Sequence, residues 1–278
     1  MPACNEGATA HEEILTFAPH GRTFQRLFIT GDGYRLVVPH VASFDITDGA
    51  GRAHVRPDPG ADLGLVDVLT RGTLAATMLA LSGEIVLHAS SVIVDNEAVV
   101  AVAGPSGRGK STLTALLATQ DSPVFAEDVL RIELTTPADL PTAHRGSTGI
   151  RLRAAPATSI LEWATPSRAA RTADGRTQVW FERSDIAVAP LKAIILPSIE
   201  RGTDRPSAVR LSSAEAHIGL AACMRVTGWL TADDRRREFA QVASIAGAVP
   251  VYRLVTPWGP PFLPELAEEV HDIVRALA

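Results

Sequence analysis

The residues best equipped for chemistry lie together in Gly104-Pro105-Ser106-Gly107-Arg108-Gly109-Lys110-Ser111-Thr112. The stretch fits a Walker A phosphate loop. Glycines 104, 107 and 109 allow positive φ and close approach to an anion, so that successive N–H groups turn toward phosphate oxygens. Lys110 is spaced to reach the β- and γ-phosphates, and the Ser111 hydroxyl to ligate Mg²⁺. ATP and Mg²⁺ are therefore the expected ligands. Two further features belong to the same chemistry: the acidic pair Glu127-Asp128 and the histidine of Leu87-His88-Ala89-Ser90. Carboxylates near a triphosphate can hold a metal or orient an attacking hydroxyl.

Such a loop works only between a strand and a helix. Ala98 to Ala103 is small, β-branched and uncharged, as expected of a strand buried on both faces of a parallel sheet, and Leu113, Leu116 and Leu117 recur at helical spacing. The helix that follows adds the positive end of its dipole to the anion site. Glu84 to Val94 alternates as a strand and Asp95-Asn96 turns the chain back into 98–103, a hairpin that places His88 beside the loop. Pro123 to Ala126 is a short strand ending at the acidic pair, and Val129 to Leu134 is another.

The remainder reads as a β-rich start and an α/β continuation. Ile14 to Phe17, Phe24 to Ile29, Tyr34 to Val38, Val41 to Ile46 and Ala53 to Arg56 are short strands, with hairpin turns at Gly31-Asp32-Gly33 and Asp48-Gly49. Helical spacing covers 62–82, with Gly83 suited to a C-terminal cap. Residues 135–178 show little periodicity outside Ile160 to Trp163. Val179 to Glu182 and Leu191 to Leu196 read as strands, and Ser212-Ser213-Ala214-Glu215 as a capping start. Helices are expected at 213–225, 233–247 and 266–277, with a strand at Val249 to Val255. The expected division is a small β-rich domain at 1–61 and a P-loop catalytic domain at 62–278.

Composition limits the options. The chain has 278 residues, 46% hydrophobic and 21% charged, with a net charge of −5 and a pI near 5.9. That balance argues against a general nucleic-acid or anionic-membrane surface. No run reaches the roughly 18 uninterrupted apolar residues of a membrane span, and the N-terminus lacks a secretory signal, so a cytoplasmic location is expected. Cys4 and Cys223 are expected to be free thiols. Lys192, Arg210, Arg225 and Arg235-Arg236-Arg237 read as surface charge. Trp163, Trp180, Trp229 and Trp258 read as core or subunit contacts rather than nucleotide stackers.

These motifs together resemble the C-terminal domain of HPr kinase/phosphorylase and its relatives, which include kinases found with lasso-peptide precursors. The likeness spans about 70–278 and is specific mainly over 85–134. It implies an α/β P-loop kinase domain of that type behind a small β-rich domain, acting on a serine hydroxyl of a peptide or small protein. By position it puts His88 near the γ-phosphate, Glu127 on the acceptor serine as base, and Asp128 beside Ser111 on the metal, with Lys110 completing the catalytic set. His-Ala and Glu-Asp stand where the family has His-Gly and Asp-Asp. The family's Glu-x-Arg-Gly signature is matched only by Ala143-His144-Arg145-Gly146, leaving Arg145 as a candidate phosphate contact. A peptide kinase is preferred to HPr kinase/phosphorylase itself because that glutamate is missing. A nucleotide-binding regulatory module with little transfer, and a small-molecule kinase, are the rivals. The resemblance also allows a homo-oligomer. An ABC-type ATPase is disfavoured because Leu81-Ser82-Gly83 precedes the loop.

Overall fold

A computed structural model describes residues 12–134 and 140–278. Cys4 lies outside them. The chain divides into two compact units, one taking in the described part of Met1–Ser82 together with Thr227–Arg236, the other Gly83–Val226 with Arg237–Ala278.

The first unit contains an antiparallel meander of five strands in sequence order: β1 (Glu12–Phe17), β2 (Gln25–Thr30), β3 (Gly33–Val38), β4 (Ala42–Thr47) and β5 (Arg52–Pro57). Period-two patterning sets this sheet. In β4 Ala42, Phe44 and Ile46 are buried while Ser43, Asp45 and Thr47 are less so. The turn at Gly31-Asp32 joins Thr30 directly opposite Gly33, as the hairpin reading requires. The outer edge of β1 is closed by a later segment, through Thr16 N–H to the Gly228 carbonyl (3.0 Å) and Leu230 N–H to the Ile14 carbonyl (2.9 Å). Nothing in the sequence marked Thr227–Arg236 as part of this unit.

Gly228 makes that closure sterically exacting. Its φ is +96°, and a β-carbon there would lie 2.3 Å from the Thr16 carbonyl oxygen. Gly228→Ala is expected to cost about 2 kcal/mol or more, since it adds a backbone clash to a conformation L-residues avoid. A urea titration showing the variant within about 0.5 kcal/mol of the parent would contradict that account.

Helices α1 (Leu63–Leu69) and α2 (Ala75–Leu81) are joined by a π-helical turn at 70–74. Asp62 caps α1 through Gly64 N–H at 2.8 Å, and Gly83 follows α2 with φ +85°. These helices belong to the first unit, so the division falls at 82/83 rather than at 61/62. The run Leu63–Leu81 has a mean hydropathy of 1.3, long and apolar enough by length and composition to cross a membrane. Buried helices of water-soluble proteins meet the same test. Its apolar run is interrupted by the Asp67–Arg71 ion pair.

The second unit opens with β6 (Ile85–Leu87), β7 (Ala89–Val94) and β8 (Ala98–Ala103), followed by α3 (Lys110–Ala118). Next come β9 (Val124–Ala126), β10 (Leu130–Glu133), β11 (Thr142–His144), β12 (Ile150–Leu152), α4 (Ala154–Leu161), β13 (Arg168–Arg171) and β14 (Thr177–Trp180). The chain then runs through the long β15 (Val188–Glu200), β16 (Ser207–Arg210) and α5 (Ser213–Ala221). It ends with α6 (Ala232–Ala248), whose first turn counts with the first unit, β17 (Val251–Pro257) and α7 (Pro264–Leu277).

Strand β8 sits between β15, to which it is parallel, and β7, to which it is antiparallel. The all-parallel setting expected for it is therefore only half met. Both β7 and β8 are buried at every position, because α3 and α7 cover one face of the sheet and a second apolar cluster fills the other. Burial on both faces also explains why the alternation read over 84–94 does not hold. The first part of β15 pairs with β11, extending the sheet through β10 to β6, and its second half runs parallel to β17. Within 140–178, the described part of 135–178, the chain forms elements of only three to eight residues, and β12, β14 and β13 make a separate three-stranded sheet.

Candidate functional site

Loop and helix meet as the motif demands. Lys110 opens α3, and Gly107 and Gly109 take φ of +85° and +87°. Gly104 differs from expectation: its φ is not positive, and a β-carbon there would make only ordinary contacts, 3.6 Å from Arg108 and 3.9 Å from Pro197. The Lys110 ammonium, only 7% exposed with its residue, donates to the carbonyls of Gly104 (2.7 Å) and Pro105 (3.1 Å). Burial lowers its pKa, while the carboxylates of Asp128 and Glu127 pull the other way and favour the charged form.

His88 falls in the break between β6 and β7. Its N–H donates to the Cys223 carbonyl at 2.7 Å, and its own carbonyl receives the Gly104 N–H at 3.3 Å. The hairpin thus brings His88 to the first residue of the loop. Burial pulls its imidazole below the ordinary histidine range, with the Asp128 hydrogen bond opposing. It is held largely neutral.

The acidic pair lies where β9 ends. Val129 N–H donates back to the Glu127 carbonyl at 2.9 Å, closing a tight turn centred on Asp128 at φ +69°. A non-glycine residue in that conformation is strained, and such strain persists where surrounding contacts hold it. Asp128 has those contacts. Its Oδ1 is 3.2 Å from His88 Nε2, and its Oδ2 is 3.1 Å from Arg225 Nη2 and 3.2 Å from Arg151 Nη2. Burial works against its charge, but the His88 hydrogen bond and the Arg225 and Arg151 charges outweigh it and hold the carboxyl well below the usual range.

Glu127 has a different company. It is buried, accepts the Ser111 hydroxyl on Oε1 at 2.7 Å, and accepts the Ser90 hydroxyl on Oε2. Burial raises its pKa, and the two hydroxyls partly offset this. The division of labour expected from position, Asp128 with Ser111 on the metal and Glu127 on the acceptor, does not match these contacts. The loop serine is bonded to Glu127. Ser111 and Glu127 offer hard oxygens at one point, the ligand type Mg²⁺ takes, so the residues present fit that ion. Among the described residues no group of three or more His, Cys, Asp and Glu side chains forms a ready-made metal cage.

His88, Lys110, Ser111, Glu127 and Asp128 all line one cavity of about 220 Å³, together with loop residues 106–112. The Pro105 carbonyl accepts from the Lys110 ammonium. Arg145 does not line it; its guanidinium donates to the Ser184 carbonyl at 2.9 Å. The neighbouring Gly146 packs against Ala126 and the Val129 carbonyl, where a β-carbon would come within 3.1 Å of each, so this segment supports the acidic turn from behind.

Sequence reasoning missed several residues in the cavity and one, Arg225, that lies outside its lining. Arg225, read as surface charge, clamps Asp128. Arg151, Arg153 and Arg176, from the small sheet and the start of α4, had no motif around them. Trp258 lines the outer cavity, half exposed, with the Arg201 guanidinium 4.8 Å from its ring. Alternation could have found two of these. Ile150 and Leu152 are buried, which turns Arg151 and Arg153 to the opposite face. Cys223 is buried, and burial pushes its thiol up to about 12, so it is an inert packing residue as expected of a structural cysteine.

No family model matches the chain, and no curated protein does. Among solved structures the chain is similar to the Hpr(Ser) kinase/phosphatase from Coxiella burnetii, at 13% identity and a TM-score of 0.35, over 69% of this chain and 88% of that one.

Proposed function

We propose that this cavity binds a nucleoside triphosphate with Mg²⁺ and transfers the terminal phosphoryl group to a serine hydroxyl of a peptide or small protein. One observation carries the reading: a glycine-rich loop, its Lys110 and its Ser111 share a cavity with a carboxylate bonded to that serine and a second carboxylate aligned by a histidine and two arginines. In phosphoryl transfer the protein chiefly positions the reactants and stabilises spread charge, and these groups serve both ends.

In this reading the loop N–H groups and the α3 N-terminus hold the phosphates, and Lys110 moves from the loop carbonyls to the β- and γ-oxygens. Ser111 and Glu127 would hold Mg²⁺, which would supply charge neutralisation to the phosphates. Asp128, with neutral His88 on its other oxygen, orients the acceptor hydroxyl and takes its proton. The new O–P bond forms as the bond to the leaving diphosphate breaks, and the electron pair stays on the diphosphate. This exchanges the roles that position alone suggested for the two acids. The strong pairing of Asp128 lowers its basicity, which favours the rival reading of a nucleotide-binding module with slow transfer.

Incubation with γ-labelled ATP and Mg²⁺ separates these readings. Labelled peptide is expected when a serine-containing peptide is supplied. Label on free serine would mark a small-molecule kinase, and nucleotide binding without labelled product in any arm would favour the regulatory module. Failure to bind any nucleotide would remove the proposal.

A further inference from the structure

Three arginines approach the cavity from the small sheet, and two have carboxylate partners. Arg151 pairs with Asp128 at 3.2 Å and with Asp174 at 3.8 Å, and Arg176 pairs with Asp174 at 3.4 Å. Arg153 makes no ion pair among the described residues. Its placement follows from the strand before it. Ile150 and Leu152 are packed into the core beside α3, so residues 151 and 153 face the loop together. The chain then enters α4, for which Arg153 is the N-terminal flanking residue without a side-chain capping bond. Its guanidinium reaches across the cavity. A β-carbon placed on Gly107 would lie 3.5 Å from Arg153 Nη2. Gly107 has none, so the arginine stands directly over the middle of the phosphate loop.

We infer that Arg153 is a catalytic residue, an arginine finger supplied by the chain itself, which touches the bound nucleotide at the leaving diphosphate. The inference rests on the kinase reading above and adds a residue that no motif in the sequence marks. As the acceptor oxygen bonds to the γ-phosphorus, the bond to the β-phosphate oxygen breaks and that oxygen gains negative charge. A planar guanidinium with several donors suits that developing charge. Arg151 cannot do this while tied to two carboxylates; it positions Asp128 instead. The middle of the loop is where backbone N–H groups cradle the α- and β-phosphates, so Arg153 closes the diphosphate from the opposite side.

The test uses Arg153→Ala and Arg153→Lys in the full chain. Supplied arginine fingers raise kcat by about 10³–10⁵-fold, so Arg153→Ala is expected to lower it at least a hundredfold. Arg153→Lys should recover part of the loss, because charge returns without the fork. Binding gives an independent readout. The parent should bind ADP with aluminium fluoride, a planar mimic of the moving phosphoryl group, far more tightly than ADP alone, and Arg153→Ala should lose that gain while its affinity for ADP changes less than about fivefold. Since Arg153 is exposed and caps nothing, its variants should keep the parent's melting temperature. A parent that binds ADP and turns over while Arg153→Ala keeps kcat within fivefold would overturn this inference and leave the kinase reading standing. A parent that binds neither ADP nor ATP would overturn both.

Discussion

Replacing Lys110 with methionine is expected to lower the affinity for Mg·ATP at least a hundredfold without weakening the fold. The ammonium is nearly buried, and its two hydrogen bonds, to the carbonyls of Gly104 and Pro105, are to loop groups that a phosphate would displace. In the proposed complex it bridges β- and γ-oxygens. Hydrogen bonds to charged groups contribute about 1.5–3 kcal/mol each, so losing two costs roughly 3 kcal/mol or more. At about 1.4 kcal/mol per tenfold, that exceeds a hundredfold in dissociation constant. Stability should respond differently. Burial already disfavours the Lys110 charge, and methionine keeps the length of the stem while removing the group that must be desolvated. Titration calorimetry with Mg·ATP and a urea melt together check both halves. An affinity within fivefold of the parent would mean that the loop does not hold a triphosphate in the proposed way.

Those features that depend on neighbours in sequence were legible. The loop sits between β8 and α3 because a run of small β-branched residues, a glycine-rich turn and a leucine-spaced segment are local signals. Ser212 and Glu215 form the reciprocal cap that their spacing announced, and the strands of the first sheet follow from alternation and turn residues. The rest depends on chain segments far apart. Arg225 reaches Asp128 across 97 positions, and no periodicity records that pairing. Glu127 and Asp128 are adjacent, yet the turn at Asp128 sends one carboxylate to Ser111 and the other to His88 and the arginines. Sequence order alone could not say which acid goes where. Arg145 looked suitable because of the glycine after it, but the register of β11 against β15 directs it to Ser184 instead. In 140–178 the elements are too short for a helical or strand period to emerge, which is why the arginine-bearing sheet was invisible.

Asp128→Asn is expected to reduce phosphoryl transfer by about 10²–10⁴-fold while leaving triphosphate affinity unchanged or slightly higher. Asparagine keeps the shape and one acceptor oxygen but cannot take a proton, and it removes a negative charge that faces the phosphates. The consequences for Arg151 and Arg225 need separating from those for chemistry. Arg225 loses its counter-charge and Arg151 keeps only Asp174, and Arg225 Nε already lacks a partner in its buried position, so some loss of thermal stability is expected. Single-turnover rates with saturating nucleotide, measured well below the melting temperature, isolate the chemical step. Glu127→Gln supplies the contrast. If Glu127 works with Ser111 on the metal, its amide should weaken the dependence of nucleotide affinity on Mg²⁺, whereas Asp128→Asn should leave that dependence intact. A variant Asp128→Asn that transfers phosphate within threefold of the parent, beside a Glu127→Gln that binds Mg·ATP normally yet does not transfer, would return the acceptor-facing role to Glu127.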